Sequence, residues 1–196
     1  MTDGSGSGAA SGSRILASMQ TPPEPRWLSP RERDAWMAIG GVVMRLVPAL
    51  DAQLQRDAGI SFFEYSIVAA LSEAPDRTLR MGDLAVLAEG SPSRLSQAVS
   101  RLERREWIRR APDPANGRYT LATLTDAGWD KVVATAPGHV AEVRRLVLDP
   151  LTEEQITQLQ QIGSTVMRAI DPNDRCLVPG ADASSQLSAE AGQLRT

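Results

Sequence analysis

From Ser29 onward, apolar residues recur every three or four positions: Trp36, Ile39, Val43, Leu46/Val47, Leu50 and Leu54. This spacing lines them along one stripe and predicts a helix running to about Ala58. Ser29-Pro-Arg-Glu32 is a capping box with proline in the first helical position, where its missing N–H has no partner to lose. Pro48 predicts a kink and Gly59 the end of the helix. Ser61-Phe-Phe-Glu64 is a second capping box, opening a short helix with Phe62, Tyr65, Val68/Ala69 and Leu71 inward and Pro75 at its end. Thr78 to Arg80 reads as a short strand, Met81 to Ala88 as a third helix, and Pro92 to about Arg105 as a fourth. The apolar side of the fourth is Leu95, Ala98/Val99 and Leu102. Only Glu89-Gly90-Ser91 links the last two, so the pattern is a helix-turn-helix.

After Arg105 the period changes. Trp107 to Ala111 and Arg118 to Leu124 read as strands, and Asn116-Gly117 between them is a strong hairpin signal. A hairpin directly after a helix-turn-helix is a wing. Thr125-Asp126 caps a fifth helix carrying Val132, Val133, Ala136, Val140, Val143 and Leu146/Val147, which Pro137-Gly138 should bend or interrupt. Thr152-Glu-Glu-Gln155 opens a last helix with Ile156, Leu159, Ile162, Val166 and Ile170. The expected class is mainly α with a small β wing (α+β): a winged helix-turn-helix with long N- and C-terminal dimerisation helices. The expected divisions are a disordered arm at 1–27, a first dimerisation helix at 28–60 and the winged helix-turn-helix at 61–124. C-terminal dimerisation helices at 125–171 and a disordered tail at 172–196 follow.

Composition narrows the chemistry. Only one His and one Cys occur in 196 residues, too few for the usual His/Cys zinc sites, and nothing around His139 resembles a nucleophile elbow. No enzyme, catalytic residue, metal or cofactor is expected. No apolar run approaches the roughly 18 to 20 residues of a membrane span, and the Gly/Ser-rich start lacks a signal peptide's basic and apolar regions, so a cytoplasmic protein is expected. The formal net charge is −3, yet Ser91 to Arg118 holds seven arginines (94, 101, 104, 105, 109, 110, 118) against Glu103, Glu106 and Asp113. A basic island in an acidic chain suits a local phosphate-binding face. A solvated helix face with internal ion pairs is the competing reading.

The ordered set Gly82-Asp-Leu-Ala85, Ser91-Pro-Ser-Arg-Leu-Ser-Gln-Ala-Val-Ser-Arg-Leu-Glu103, Asp113-Pro114 with Arg118, and Leu124-Thr-Asp-Ala-Gly128 resembles the multiple antibiotic resistance regulator (MarR) family over about residues 28 to 170. The resemblance implies a two-fold homodimer in which the first, fifth and sixth helices of each chain interlock. It further implies transcriptional regulation on double-stranded DNA, repression being the expected direction, altered by a small ligand or an oxidant. The three long apolar stripes fit a dimer independently, since they exceed what one small winged helix can cover. Cysteine is absent from Trp27 to Ala58, where the family's peroxide sensors carry theirs, and Cys176 sits in the tail.

In a helix-turn-helix the second helix enters the major groove with its N-terminal residues nearest the bases. Those are Ser91, Ser93, Arg94 and Gln97, with Arg101 one turn on. Arg94 is suited to guanine and Gln97 to adenine, while Ser91 doubles as a cap. Arg118, after the Asn116-Gly117 tip, is placed for the minor groove. Family wings commonly carry Asp-x-Arg; Asn116 replaces the acid and accepts a hydrogen bond but forms no ion pair. By resemblance, a ligand pocket lies between the first, second and fifth helices, with Trp36, Met44, Tyr65 and His139 as candidate lining. A winged-helix module used for protein contacts, without specific DNA binding, is the alternative function.

Overall fold

The computed structural model describes residues 24–170. Most of the expected arm, the tail and Cys176 lie outside them. The chain divides into two units, Met1–Gly40 and Gly41–Thr196, within the first helix.

Helix α1 spans Pro30–Ala58. In the first unit its start is the capping box read from sequence: the Ser29 N–H donates to Glu32 Oε2 at 2.8 Å and the Glu32 N–H to Ser29 Oγ at 3.3 Å. The helix continues through Pro48, whose fixed φ is already helical, so one missing backbone bond does not end it. In the second unit α1 closes on Gly59, at φ 63, with the Gly59 N–H donating to Gln55 O at 3.1 Å. Lys131 Nζ donates to Ala58 O at 2.6 Å, placing a cation on the negative end of the helix. Asp51 accepts the Phe62 N–H at 2.7 Å, joining α1 to the start of α2.

Helix α2, Phe62–Glu73, keeps its full capping box. A 3₁₀ turn leads to β1, Thr78–Arg80, then α3, Met81–Leu87, and α4, Pro92–Arg104. Strands β2, Ile108–Pro112, and β3, Thr120–Leu124, follow, then α5, Asp126–Val143, and α6, Glu153–Ile170. The sheet is antiparallel in the order β1-β3-β2; Thr78 faces Thr123, and Ile108 faces Leu124. Leu54, Ile67, Val68, Leu71, Leu84, Leu95, Val99, Leu102 and Ile108 form one core within the second unit. The apolar side expected for α4 is the side that is buried.

Three expectations need correction. Helix α5 is not interrupted at Pro137-Gly138, because buried Val132 and Thr135 before the proline and His139 packed on α2 after it hold both halves. The break comes later, as a π-helical turn at Arg144–Leu148. The wing is the expected antiparallel hairpin of β2 and β3, but Asn116-Gly117 does not form its turn, since neither residue has a positive φ. Finally, α1 has the length and mean hydropathy of a membrane span, 1.4 over an 18-residue window. Its alanines and glycines interrupt strict apolar runs without making the window polar.

Much apolar surface stays uncovered. In the first unit Trp36, Met37 and Ile39 are exposed; in the second, so are Val42, Val43, Met44 and Val47 of α1. Helix α6 buries no residue, and its apolar side, Leu159, Ile162, Val166 and Ile170, faces outward.

Candidate nucleic-acid interface

Helix α4 is set by what lies beneath and at both ends. Leu95, Ala98, Val99 and Leu102 are sunk in the core, so the 3.6-residue period turns Ser93, Arg94, Gln97, Arg101 and Arg104 outward. Ser91 is the N-cap, its Oγ accepting the Arg94 N–H at 3.3 Å, and its hydroxyl lies 3.3 Å from that of Ser93. The turn before it is a Schellman motif: Gly90 N–H to Ala85 O at 3.0 Å and Glu89 N–H to Val86 O at 3.1 Å. A second Schellman motif ends α4, with Trp107 N–H to Leu102 O at 3.0 Å and Glu106 N–H to Glu103 O at 2.9 Å.

The seven arginines of the basic island divide into two groups. Arg101 Nε donates to Glu64 Oε1 at 2.7 Å, fastening α4 to α2. Burial opposes ionisation of Glu64, but the bonds from Arg101 and Ser61 outweigh it and hold the carboxyl below its ordinary range. Arg110 grips Glu103 through Nε at 3.0 Å and Nη2 at 2.6 Å; this bonding lowers the Glu103 pKa. Arg105 donates to Gly59 O at 3.0 Å, and the Arg94 guanidinium lies 4.0 Å over the Phe63 ring. Among the described residues Arg104, Arg109 and Arg118 are exposed and make no hydrogen bond or ion pair through their side chains. The competing reading, internal ion pairs, thus describes part of the island.

The wing is a loop built on two Asx turns. Asp113 Oδ1 accepts the Ala115 N–H at 2.9 Å, and Asn116 Oδ1 accepts the Arg118 N–H at 3.2 Å. Asp113 N–H to Tyr119 O at 2.9 Å closes it. Glycine 117 has no positive φ, so the Asn-Gly pair does not make the primed turn that its sequence suggests; the asparagine side chain supplies the turn instead. Arg118 therefore sits in the loop, two residues before β3. Asn116 fixes the Arg118 backbone and leaves its guanidinium free. Asp113, buried, takes Arg80 through Nε at 3.1 Å and Nη2 at 2.9 Å. The Ala115 bond, helped by Arg80, keeps its pKa low against the effect of burial. Arg80, Arg110 and Arg118 line one cleft of about 350 Å³ with Ser96 of α4, which joins the wing to the outward side of the helix.

Glu64, Phe63, Arg80 and Asp113 escaped the sequence reading as parts of this surface. Asp113-Pro114-Ala115 is an Asx-turn signature that flags Asp113. Nothing local flags the other three, whose partners lie 31 to 37 positions away.

Of the candidate pocket residues, Tyr65 and His139 come together, ring centroids 4.7 Å apart, with Phe62 6.1 Å from the imidazole. Burial pushes the Tyr65 phenol up to about 12 and the His139 imidazole down. His139 Nδ1 and Gln53 Oε1 are buried without a hydrogen-bond partner among the described residues. Trp36 and Met44 are 63% and 79% exposed in the single chain. Among the described residues no three His, Cys, Asp or Glu side chains converge as a metal site would require.

A MarR family model matches residues 58–118. The HTH-type transcriptional regulator MhqR of Bacillus subtilis (strain 168) is 29% identical over 99 residues, which span 50% of this chain and 66%, just under two thirds, of that relative. Among solved structures, Sco3205 from Streptomyces coelicolor, a MarR family transcriptional regulator crystallised in complex with DNA, is 43% identical. The match covers 76% of this chain and 94% of Sco3205, with a TM-score of 0.73. AbsC, a MarR family transcriptional regulator from the same organism, is 34% identical over 74% of this chain and 98% of its own, with a TM-score of 0.71. With nearly the whole of two such regulators matched at 34% and 43% identity, the chain belongs to the MarR family of transcriptional regulators.

Proposed function

We propose that this regulator binds an inverted repeat in double-stranded DNA as a homodimer and represses transcription, working in the cytoplasm. Helix α4 lies in the major groove, with Ser93, Arg94 and Gln97 at base edges and Ser91 capping the helix. Arg118 enters the adjacent minor groove from a loop tip that Asn116 shapes. Arg101 is a tie to α2 that brings its free nitrogens close to the phosphates. The observation that carries this reading is the outward face of α4, polar and open above a fully buried apolar side and continuous with the free Arg118. Support also comes from the relative Sco3205, whose structure contains DNA. The uncovered faces of α1 and α6 supply the dimer contacts, which explains a span-like hydropathy in a helix with Arg45 in its middle. The proposed site for a small-molecule effector is at Tyr65 and His139; its support is that the two buried atoms without a partner among the described residues, His139 Nδ1 and Gln53 Oε1, belong to the same α1–α2–α5 packing. The wide exposure of Trp36 and Met44 suits the dimer faces better than this pocket.

Fluorescence anisotropy on genomic fragments selected by the protein tests the reading. Half-sites are expected about one helical turn, ~10 bp, apart. Arg94→Ala removes one bidentate base contact and is expected to weaken specific binding by about 1–3 kcal/mol, relaxing sequence choice. Arg109→Ala is expected to leave choice unchanged and flatten the slope of log K against log salt by about one unit. Specific binding that survives Arg94→Ala undiminished would show that α4 is not the reading helix.

A further inference from the structure

Gly90 lies in the turn between α3 and α4, but it does not supply the left-handed residue that the turn requires. That conformation belongs to Glu89, at φ 49; Gly90 has no positive φ. What Gly90 provides is space. A β-carbon there would stand 2.6 Å from Cζ and 2.8 Å from Cε2 of the Phe63 ring. The ring, half-buried at the second residue of α2, therefore occupies the volume that any other residue at position 90 would fill. Seated so, it meets Arg94, whose guanidinium carbon lies 4.0 Å from the ring centroid. Arg94 is the third residue of α4 and is exposed to solvent.

We propose that Phe63 is a positioning residue for sequence reading, a platform that holds the Arg94 guanidinium ready for a base edge. A guanidinium carries its five N–H donors in its own plane, so stacking its face on a ring leaves the donors free for a bidentate contact. The stack also restricts a long, rotamer-rich side chain before DNA arrives, and ordering it is part of what weakens binding by a free arginine. Gly90 belongs to the same device, since it admits the ring. The inference rests on the reading of Arg94 as a base contact.

The test combines a measurement without DNA and one with it. In NMR of the free protein, the Arg94 δ-protons are expected upfield through the ring current, to lose that shift in Phe63→Leu and to keep it in Phe63→Tyr. On DNA, the readout is the ratio of Kd for the selected site to Kd for the site altered at the base that Arg94→Ala ceases to distinguish. Phe63→Leu is expected to lower discrimination about two- to fivefold, the range of a cation–π contact at an exposed site. Phe63→Tyr is expected to restore it, and Gly90→Ala, which displaces the ring without removing it, to lower it similarly. Adding Phe63→Leu to Arg94→Ala is expected to cost no further affinity for the selected site. Thermal unfolding and circular dichroism establish that each variant is folded.

A folded Phe63→Leu protein with wild-type discrimination overturns the inference while leaving the DNA-reading assignment intact. So does a double variant that binds the selected site several-fold more weakly than Arg94→Ala alone. If the wild-type protein discriminates no sequence at all, the proposed function fails first, and the role of Phe63 with it.

Discussion

A β-carbon at Gly128 would run into the carbonyl oxygen of Trp107, and would lie 2.7 Å from Leu124 Cδ1. That carbonyl accepts the Thr125 N–H at 3.0 Å, so neither the start of α5 nor the end of α4's turn can withdraw. Gly128→Ala is expected to destabilise the protein by about 1–3 kcal/mol, as overpacking in a tight interior does, measured by urea unfolding. Sequence marked this glycine only as part of a motif, because a close backbone approach leaves no periodic trace. The outward residues of α4 were easier. Ser93, Arg94 and Gln97 follow from the helical period once Leu95, Ala98, Val99 and Leu102 are recognised as apolar. Which arginines remain free was not legible. Arg101 and Arg104 have the same type and similar spacing, yet only Arg101 has Glu64 within 2.7 Å.

Glu64 serves two elements at once. It completes the capping box of α2, receiving the Ser61 N–H at 3.2 Å, and it anchors α4 through Arg101. Its pKa is held down in the folded protein, burial notwithstanding. A depressed carboxylate contributes stability above its unfolded pKa, near 4.3, and that contribution disappears as pH falls through the lower folded value. Glu64→Gln is therefore expected to be about 1–2 kcal/mol less stable than wild type at pH 7, since Arg101 remains partly solvated. The gap is expected to narrow as the pH falls below about 4 and to close once the wild-type carboxyl is protonated, in denaturant melts run across that range. A constant gap would mean that the loss is one of shape, not charge. Among the described residues, six α-helices and three strands were legible, because capping boxes and apolar periods agree at nearly every boundary. The wing failed in one respect. Asn-Gly carries a strong backbone preference, but the bonds through Asp113 and Asn116 side chains form an alternative turn, and propensity alone does not rank the two.

At the scale of the whole molecule, the apolar residues along α1 and α6 are exposed among the described residues. Sequence indicated the surplus, but on the proposed reading the contacts that bury it belong to a second copy, which an intrachain pattern does not register. Ile162, 60% exposed, is a discriminating site: Ile162→Glu should shift sedimentation from dimer to monomer while circular dichroism keeps its helical signal. With two half-sites no longer held together, operator affinity should fall by about 100-fold or more. An unchanged sedimentation coefficient would place the dimer contacts elsewhere. Helix α2 carries a further consequence. Phe62 and Tyr65 lie against His139 on α5, whereas Phe63 and Glu64 hold Arg94 and Arg101 on α4. Four successive side chains thus grip two different helices. A stiff helix cannot roll about its axis and carry only one pair with it, so the packing around the histidine and the aim of the arginine share one mechanical coordinate.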